Sequence, residues 1–198
     1  MPRNDRNNAP GARAPGNAPG RRVAQQGASG APRGDAKTIE FLNLILKNEL
    51  TAINQYFLHS RMLANWGVSE LSKKEYEESI DEMKHADSLM QRLLFLGGLP
   101  NLQYLDKLLL GENVEEVIGC DLAFEYKALA DLREAITYAE EIKDYGSRTL
   151  YESILKSEEE HIDYLQTQQK LIAAMGLADY IQVQTQANAA YALDPPGG

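Results

Sequence analysis

Glu49 is followed 33 positions later by Glu82 and then by His85. Glu125 is followed 33 positions later by Glu158 and then by His161. The two sets are offset by a constant 76 residues. Each half of the chain thus supplies a lone Glu and a Glu-x-x-His pair. Residues i and i+3 share a helix face, so Glu82 with His85, and Glu158 with His161, can converge on one cation. A carboxylate can also bridge two cations. Four carboxylates and two imidazoles are what a helical bundle needs to hold two metal ions in its core. Four ionised Glu balance two divalent ions, so the filled site is close to neutral. Each unpaired buried charge in an empty site would cost roughly several kcal/mol. The empty site is therefore expected to keep protons that metal entry displaces.

The neighbouring residues narrow the choice. Asp81 stands four residues before His85 and competes with Glu82. Around His161, Glu159 and Glu160 turn away and Ser157 has no carboxylate, so the repeat selects Glu82. One Glu-x-x-His pair is common on a solvated helix face. Two pairs, each with a lone Glu at the same distance, point to a shared site.

The elements that must position these groups read as helices. The first runs from about Thr38 to Asn65, with Leu42, Ile45, Glu49, Ile53 and Tyr56 at spacings of three and four, and Trp66-Gly67 ends it. The second starts at Ser72, with Glu75 completing a capping box. It carries Glu82, His85, Leu89, Leu93 and Leu96 inward and stops at Gly97-Gly98 before Pro100. The third runs from near Asn113 to Ile142 on a stripe of Ile118, Leu122, Glu125, Leu129, Leu132 and Ile136. The fourth spans about Ser147 to Met175, with Ile154, Glu158, His161, Ile162 and Leu165 inward. Gly176 ends it, and Leu177–Gln186 forms a short fifth helix. Each ligand Glu therefore sits in an apolar stripe, where burial is unfavourable without a partner.

Connection lengths set the topology. Short turns make the first and second helices, and the third and fourth, antiparallel hairpins. The long link from Leu99 to Glu112 can cross the bundle lengthwise. The repeat then predicts that the first and third helices run parallel. The fold class expected is all-α, a four-helix bundle with a long crossover and a short fifth helix.

Bulk composition bounds the function. The 198 residues suffice for one ordinary domain. The net charge of −9 hides two unlike regions. Residues 1–34 hold six Arg and one acid, Asp5, for +5, while residues 35–198 hold 14 basic and 28 acidic residues, for −14. The acidic body argues against nucleic-acid binding and suits cation handling. The lone Cys120 excludes an intrachain disulfide, a Cys-rich zinc site and a rubredoxin-like iron site, and points to a reducing cytoplasm. No apolar run approaches the roughly 20 residues of a membrane span, and no secretory signal is visible. Residues 1–34, with five of the eight prolines, read as a disordered basic extension. Residues 188–198 read as a flexible tail. The domain lies at 35–187.

Residues Gly34 to about Ala187 resemble a bacterioferritin of the ferritin-like family. The likeness is carried by NELTAINQYFLHSRMLANWG, YEESIDEMKHAD, LFLGGLPNLQ, DLAFE and EEEHIDYL. It implies a hollow shell of 24 subunits, built from dimers, with a di-iron ferroxidase centre in each subunit. Glu49, Glu82, His85, Glu125, Glu158 and His161 match the iron ligands, with Glu82 and Glu158 as bridges. Ferrous iron would be oxidised by dioxygen or hydrogen peroxide and stored as ferric mineral. Tyr56, seven residues after Glu49 on the same face, matches a Tyr that donates an electron or hydrogen-bonds a ligand. Met83 lies about 100° around the helix from Glu82, away from the site. From spacing alone it reads as a packing residue. The resemblance makes it one of two symmetry-related Met ligands to a haem b at the subunit two-fold, fed by a small ferredoxin for reductive release. Met62, Met90 and Met175 read as packing residues and His59 as structural.

Two positions depart from the family pattern. Glu77 and Asp81 stand where some members carry a His and an Asp as an inner-surface iron site, and Tyr164 stands where a Trp is often found. The competing reading from another class is a cage or carrier scaffold with a structural di-metal site. A manganese catalase or oxygenase on the same bundle is a third, and the four-cysteine rubrerythrin pattern is absent.

Overall fold

The computed structural model describes residues 34–185. The expectations for the basic extension and the tail fall largely outside those residues. Among the described residues the chain is helical, in the order α1 (Ala36–Asn65), α2 (Ser69–Phe95), α3 (Val114–Glu141), α4 (Tyr145–Met175) and α5 (Leu177–Thr185). The starts of three long helices are chemically explicit. Asp35 accepts from the amides of Lys37 and Thr38, Asn113 from that of Glu116, and Asp144 from that of Ser147. Each satisfies donors that a helix N-terminus leaves unpaired.

The second helix departs from expectation. It begins at Ser69, not Ser72, and its cap residue Val68 makes no side-chain cap bond. Ser72 Oγ instead donates to the carbonyl of Ser60 on α1, at 2.9 Å. Glu75 is fully buried and caps nothing. The Ser-x-x-Glu pattern was shared with a capping box, but the register of α2 turns its Glu into the core.

The long helices enclose two apolar clusters with the polar ligands between them. One gathers Leu42, Ile45, Leu89, Leu93, Leu132 and Ile154. The other gathers Leu63, Leu71, Ile118, Leu122, Leu165 and Tyr180 of α5. Ile53 and Ile136, placed on inner stripes by the spacing, are only half-buried at the edge of the first cluster.

The direction of α3 corrects the expected topology. Asn48 pairs with Asp131, Tyr56 with Glu125, and His59 with Asp121. Rising numbers on α1 meet falling numbers on α3, so the two helices are antiparallel. The link does run lengthwise, and that is the reason. It returns the chain to the end where α2 began, so α3 must descend alongside α2. The two hairpins are then related by rotation about an axis across the bundle.

A polar ladder on α1 holds this crossover. The amides of Asn101, Asp106, Leu109 and Gly111 donate to side chains of Asn43, Thr51, Gln55 and His59 at 2.8, 3.1, 2.8 and 3.2 Å. Lys47 pairs with Asp106 at 2.9 Å. Five α1 residues at a spacing of four thus grip a segment that has no secondary structure of its own. Gly111 also packs against the start of α3, where an added Cβ would lie 2.2 Å from the Val117 amide nitrogen. Gly111→Ala is expected to destabilise the fold by about 1–3 kcal/mol through overpacking. Thermal or urea unfolding checks this, with an unchanged midpoint as the contrary result.

Candidate metal centre

The six residues singled out by spacing converge from all four long helices. Glu49 comes from α1, Glu82 and His85 from α2, Glu125 from α3, and Glu158 and His161 from α4. Two ligand groups form: Glu49, Glu82, His85 and Glu158, and Glu82, Glu125, Glu158 and His161. Within each group one ligand atom from every residue lies within 4.8 Å of the others. Glu82 and Glu158 belong to both groups, which is the arrangement of carboxylates able to bridge two ions. Asp81 belongs to neither. It is partly exposed and pairs with Lys84 at 2.5 Å.

His85 Nδ1 stands 3.3 Å from Glu49 Oε2, 3.1 Å from Glu82 Oε2 and 3.5 Å from Glu158 Oε1. His161 Nδ1 stands 3.0 Å from Glu125 Oε1. Both imidazoles therefore present the same nitrogen to the carboxylates. The four Glu and His161 are buried. The His85 side chain retains 18% exposure and marks the solvent-facing rim of the site.

The electrostatics are those of a site holding protons in place of metal. Burial raises Glu49, and burial with neighbouring carboxylates holds Glu82 and Glu158 well above the usual range. Burial also raises Glu125, but His161 outweighs it and keeps this carboxyl low. Burial opposes charge on both imidazoles. The carboxylates prevail, lifting His85 to about 12 and His161 to about 10. Protons held among the six groups bring this core toward neutrality. Two divalent ions among four ionised carboxylates are neutral too.

Tyr56 lies beside this set. It is wholly buried, donates its hydroxyl to Glu125, and packs edge-on against the His161 ring at 5.3 Å. Burial and Glu125 push its phenol well above 10, so it stays a donor. Met83 is half exposed and lies about 100° around α2 from Glu82. Glu77 pairs with Lys73 on an exposed face. Tyr164 is half-buried with Lys74 over its ring.

Sequence reasoning missed the polar layer next to the ligands. Asp121 accepts from Gln55 Nε2 at 2.8 Å and from His59 Nδ1 at 2.8 Å. His59 is structural, as its spacing suggested, but its partner comes from another helix. Asp121 sits four residues before Glu125 on the same stripe, and Glu75 seven before Glu82. That periodicity was the available signal.

A bundle of four long helices with a carboxylate-rich di-metal pocket is the ferritin-like arrangement, and a family model described as "Ferritin-like domain" matches residues 39–175. The chain is 50% identical to a bacterioferritin of Rhodobacter capsulatus over 73% of its own length and 89% of the relative's. It is 47% identical to one from Brucella melitensis biotype 1, covering 76% and 94%. It is 46% identical to bacterioferritin BfrA of Mycobacterium tuberculosis, covering 73% and 91%. The chain belongs to the bacterioferritin family.

Metal binding should therefore be an exchange of charge. Two divalent ions are expected to displace protons from these groups, and affinity to fall as pH is lowered. Calorimetric titration with zinc in buffers of different ionisation enthalpy measures the release. Binding without proton release would contradict the protonated empty site.

Proposed function

We propose that Glu49, Glu82, His85, Glu125, Glu158 and His161 bind two ferrous ions as substrate, and that the protein is a ferroxidase that stores the ferric product. Iron storage is the function that membership in the family carries. The observation supporting this site is the sharing of Glu82 and Glu158 between two complete ligand groups.

The site's own groups fit that chemistry. Two ferrous ions held together give up two electrons at once. That reduces dioxygen to hydrogen peroxide, or hydrogen peroxide to water, without releasing a one-electron product. Oxidation raises the metal charge from +4 to +6, so bridging oxygen anions from water offset the increase and protons leave. Tyr56 steadies Glu125 through its hydroxyl and lies close enough to lend an electron. The rim at His85 gives ions a way in. A buried phenol on a ligand and an open rim favour turnover over a purely structural metal.

The assembly and the second cofactor extend the same reading. Subunits form dimers and then a 24-subunit shell in the cytoplasm, with the mineral inside. A thioether ligates haem iron when it is free to face a cofactor, and Met83 is half exposed on the side away from the di-metal pocket. Met83 and its counterpart in a second copy are the residues that would hold the haem iron. A haem held there would supply an electron path for reductive release, with a small ferredoxin as the donor this reading implies. No helix among the described residues is long and apolar enough to cross a membrane.

Replacing both Glu82 and Glu158 by Ala is expected to abolish the fast phase of Fe(II) oxidation in stopped flow while leaving helical circular dichroism unchanged. A normal fast phase in that variant would refute the assignment. A scaffold with a structural metal would show no fast phase even in the unaltered protein. Met83→Leu should remove the bis-Met haem spectrum, and an unchanged spectrum would move the axial ligand elsewhere.

A further inference from the structure

The two carboxylates shared by both ligand groups come from different helices, Glu82 from α2 and Glu158 from α4. Each group depends on one residue from across that seam. Glu158 is the one α4 member of the group with Glu49, Glu82 and His85. Glu82 is the one α2 member of the group with Glu125, Glu158 and His161. The spacing of α2 and α4 thus decides whether both carboxylates can reach both ions.

Other neighbouring helices are tied by side chains away from the ligands. Ser72 on α2 bonds the Ser60 carbonyl of α1, Asn48 on α1 bonds Asp131 of α3, and Gln166 on α4 bonds Tyr126 of α3. Across the α2–α4 seam, among the described residues, Arg92 is the only α2 side chain outside the ligand set that hydrogen-bonds α4 or its cap. Its Nε donates to Ser147 Oγ at 3.0 Å, and its Nη2 pairs with Asp144 Oδ1 at 2.6 Å. Ser147 Oγ donates in turn to Asp144 Oδ2 at 2.7 Å, closing a ring of three residues. Burial raises the Asp144 carboxyl, but Ser147 and Arg92 outweigh it and keep it below the usual range. A planar guanidinium with two donors on two acceptors fixes direction as well as distance.

Helical register places this ring in line with the metal centre. Arg92 stands two turns after His85 on α2, and Ser147 three turns before Glu158 on α4. The contacts His85–Glu158, at 3.5 Å, and Arg92–Ser147 are therefore successive rungs on one seam. The α3–α4 turn is fitted to the second rung. A Cβ added at Gly146 would lie 2.8 Å from Arg92 Nη2.

We propose that Arg92 is a positioning residue for the metal centre, and that its two-point grip on Asp144 and Ser147 sets the α2–α4 spacing at which Glu82 and Glu158 can both bridge. The inference rests on the metal-centre reading. With the grip lost, each half keeps its own ligands, but the residue each group borrows from across the seam is no longer held in place.

Calorimetric titration with zinc, well below the unfolding temperature, tests this in three variants. Arg92→Leu removes the grip. Gly146→Ala drives the guanidinium off its partners while adding a better helix former, so a loss of binding there is not a loss of helix stability. Ser72→Ala is the control, because Ser72 lies as far before Glu82 as Arg92 lies after it and ties α2 to α1 instead. The dissociation constant for the zinc pair should rise about tenfold in Arg92→Leu, rise likewise in Gly146→Ala, and stay within about twofold of wild type in Ser72→Ala. Wild-type affinity in either seam variant overturns the proposal, and so does an equal loss in Ser72→Ala. If Arg92→Leu does not fold, Gly146→Ala decides alone. A wild type that takes up no pair of ions overturns the metal-centre reading and this inference with it, whereas seam variants that match a competent wild type overturn this inference only.

Discussion

Four carboxylates forced into one apolar core set the terms for the rest of the structure. No arrangement of these helices is stable with all four ionised and unpaired, since each buried charge without a partner costs several kcal/mol. The bundle has two neutral solutions. Protons shared among the six groups give one, and two divalent cations give the other. The apolar clusters on either side hold the helices rigidly enough for the same six groups to serve both. Metal binding is then a substitution at a preformed site.

The same constraint explains the neighbouring layer. A further carboxylate pair, Glu75 and Asp121, lies beside the ligands, where another negative charge would meet the field of the centre. Gln55 and His59 donate to Asp121, and the crossover amides of Leu109 and Gly111 donate to those same two side chains. The ladder that grips the crossover thereby reaches Asp121, one turn before Glu125 on α3. An irregular link without secondary structure becomes part of the scaffold of the metal site because its amides have fixed acceptors on α1.

Much of the site was legible in the sequence because helical spacing is a local property. The 33-residue separations and the Glu-x-x-His pairs fix which residues share a face, and the structure brings all six together. The ends of α1, α3 and α4 were legible within one to two residues from Gly67, Asn113 and Gly176. What depended on tertiary register was not. Ser72 and Glu75 satisfy the capping pattern locally, yet the helix starts one turn earlier and buries the Glu. The direction of α3 was misread because a lengthwise link reverses the sense of the next helix. Asp121 was passed over because its partners, Gln55 and His59, lie 66 and 62 residues away.

The central claim is that two cations lie between Glu82 and Glu158. Anomalous diffraction from crystals soaked anaerobically with ferrous iron measures this most directly. The account predicts two peaks about 3.5–4 Å apart, one on the His85 side and one on the His161 side, with both carboxylates between them. A single peak, or iron gathered at Glu77 and Asp81 with this pocket unfilled, would contradict it.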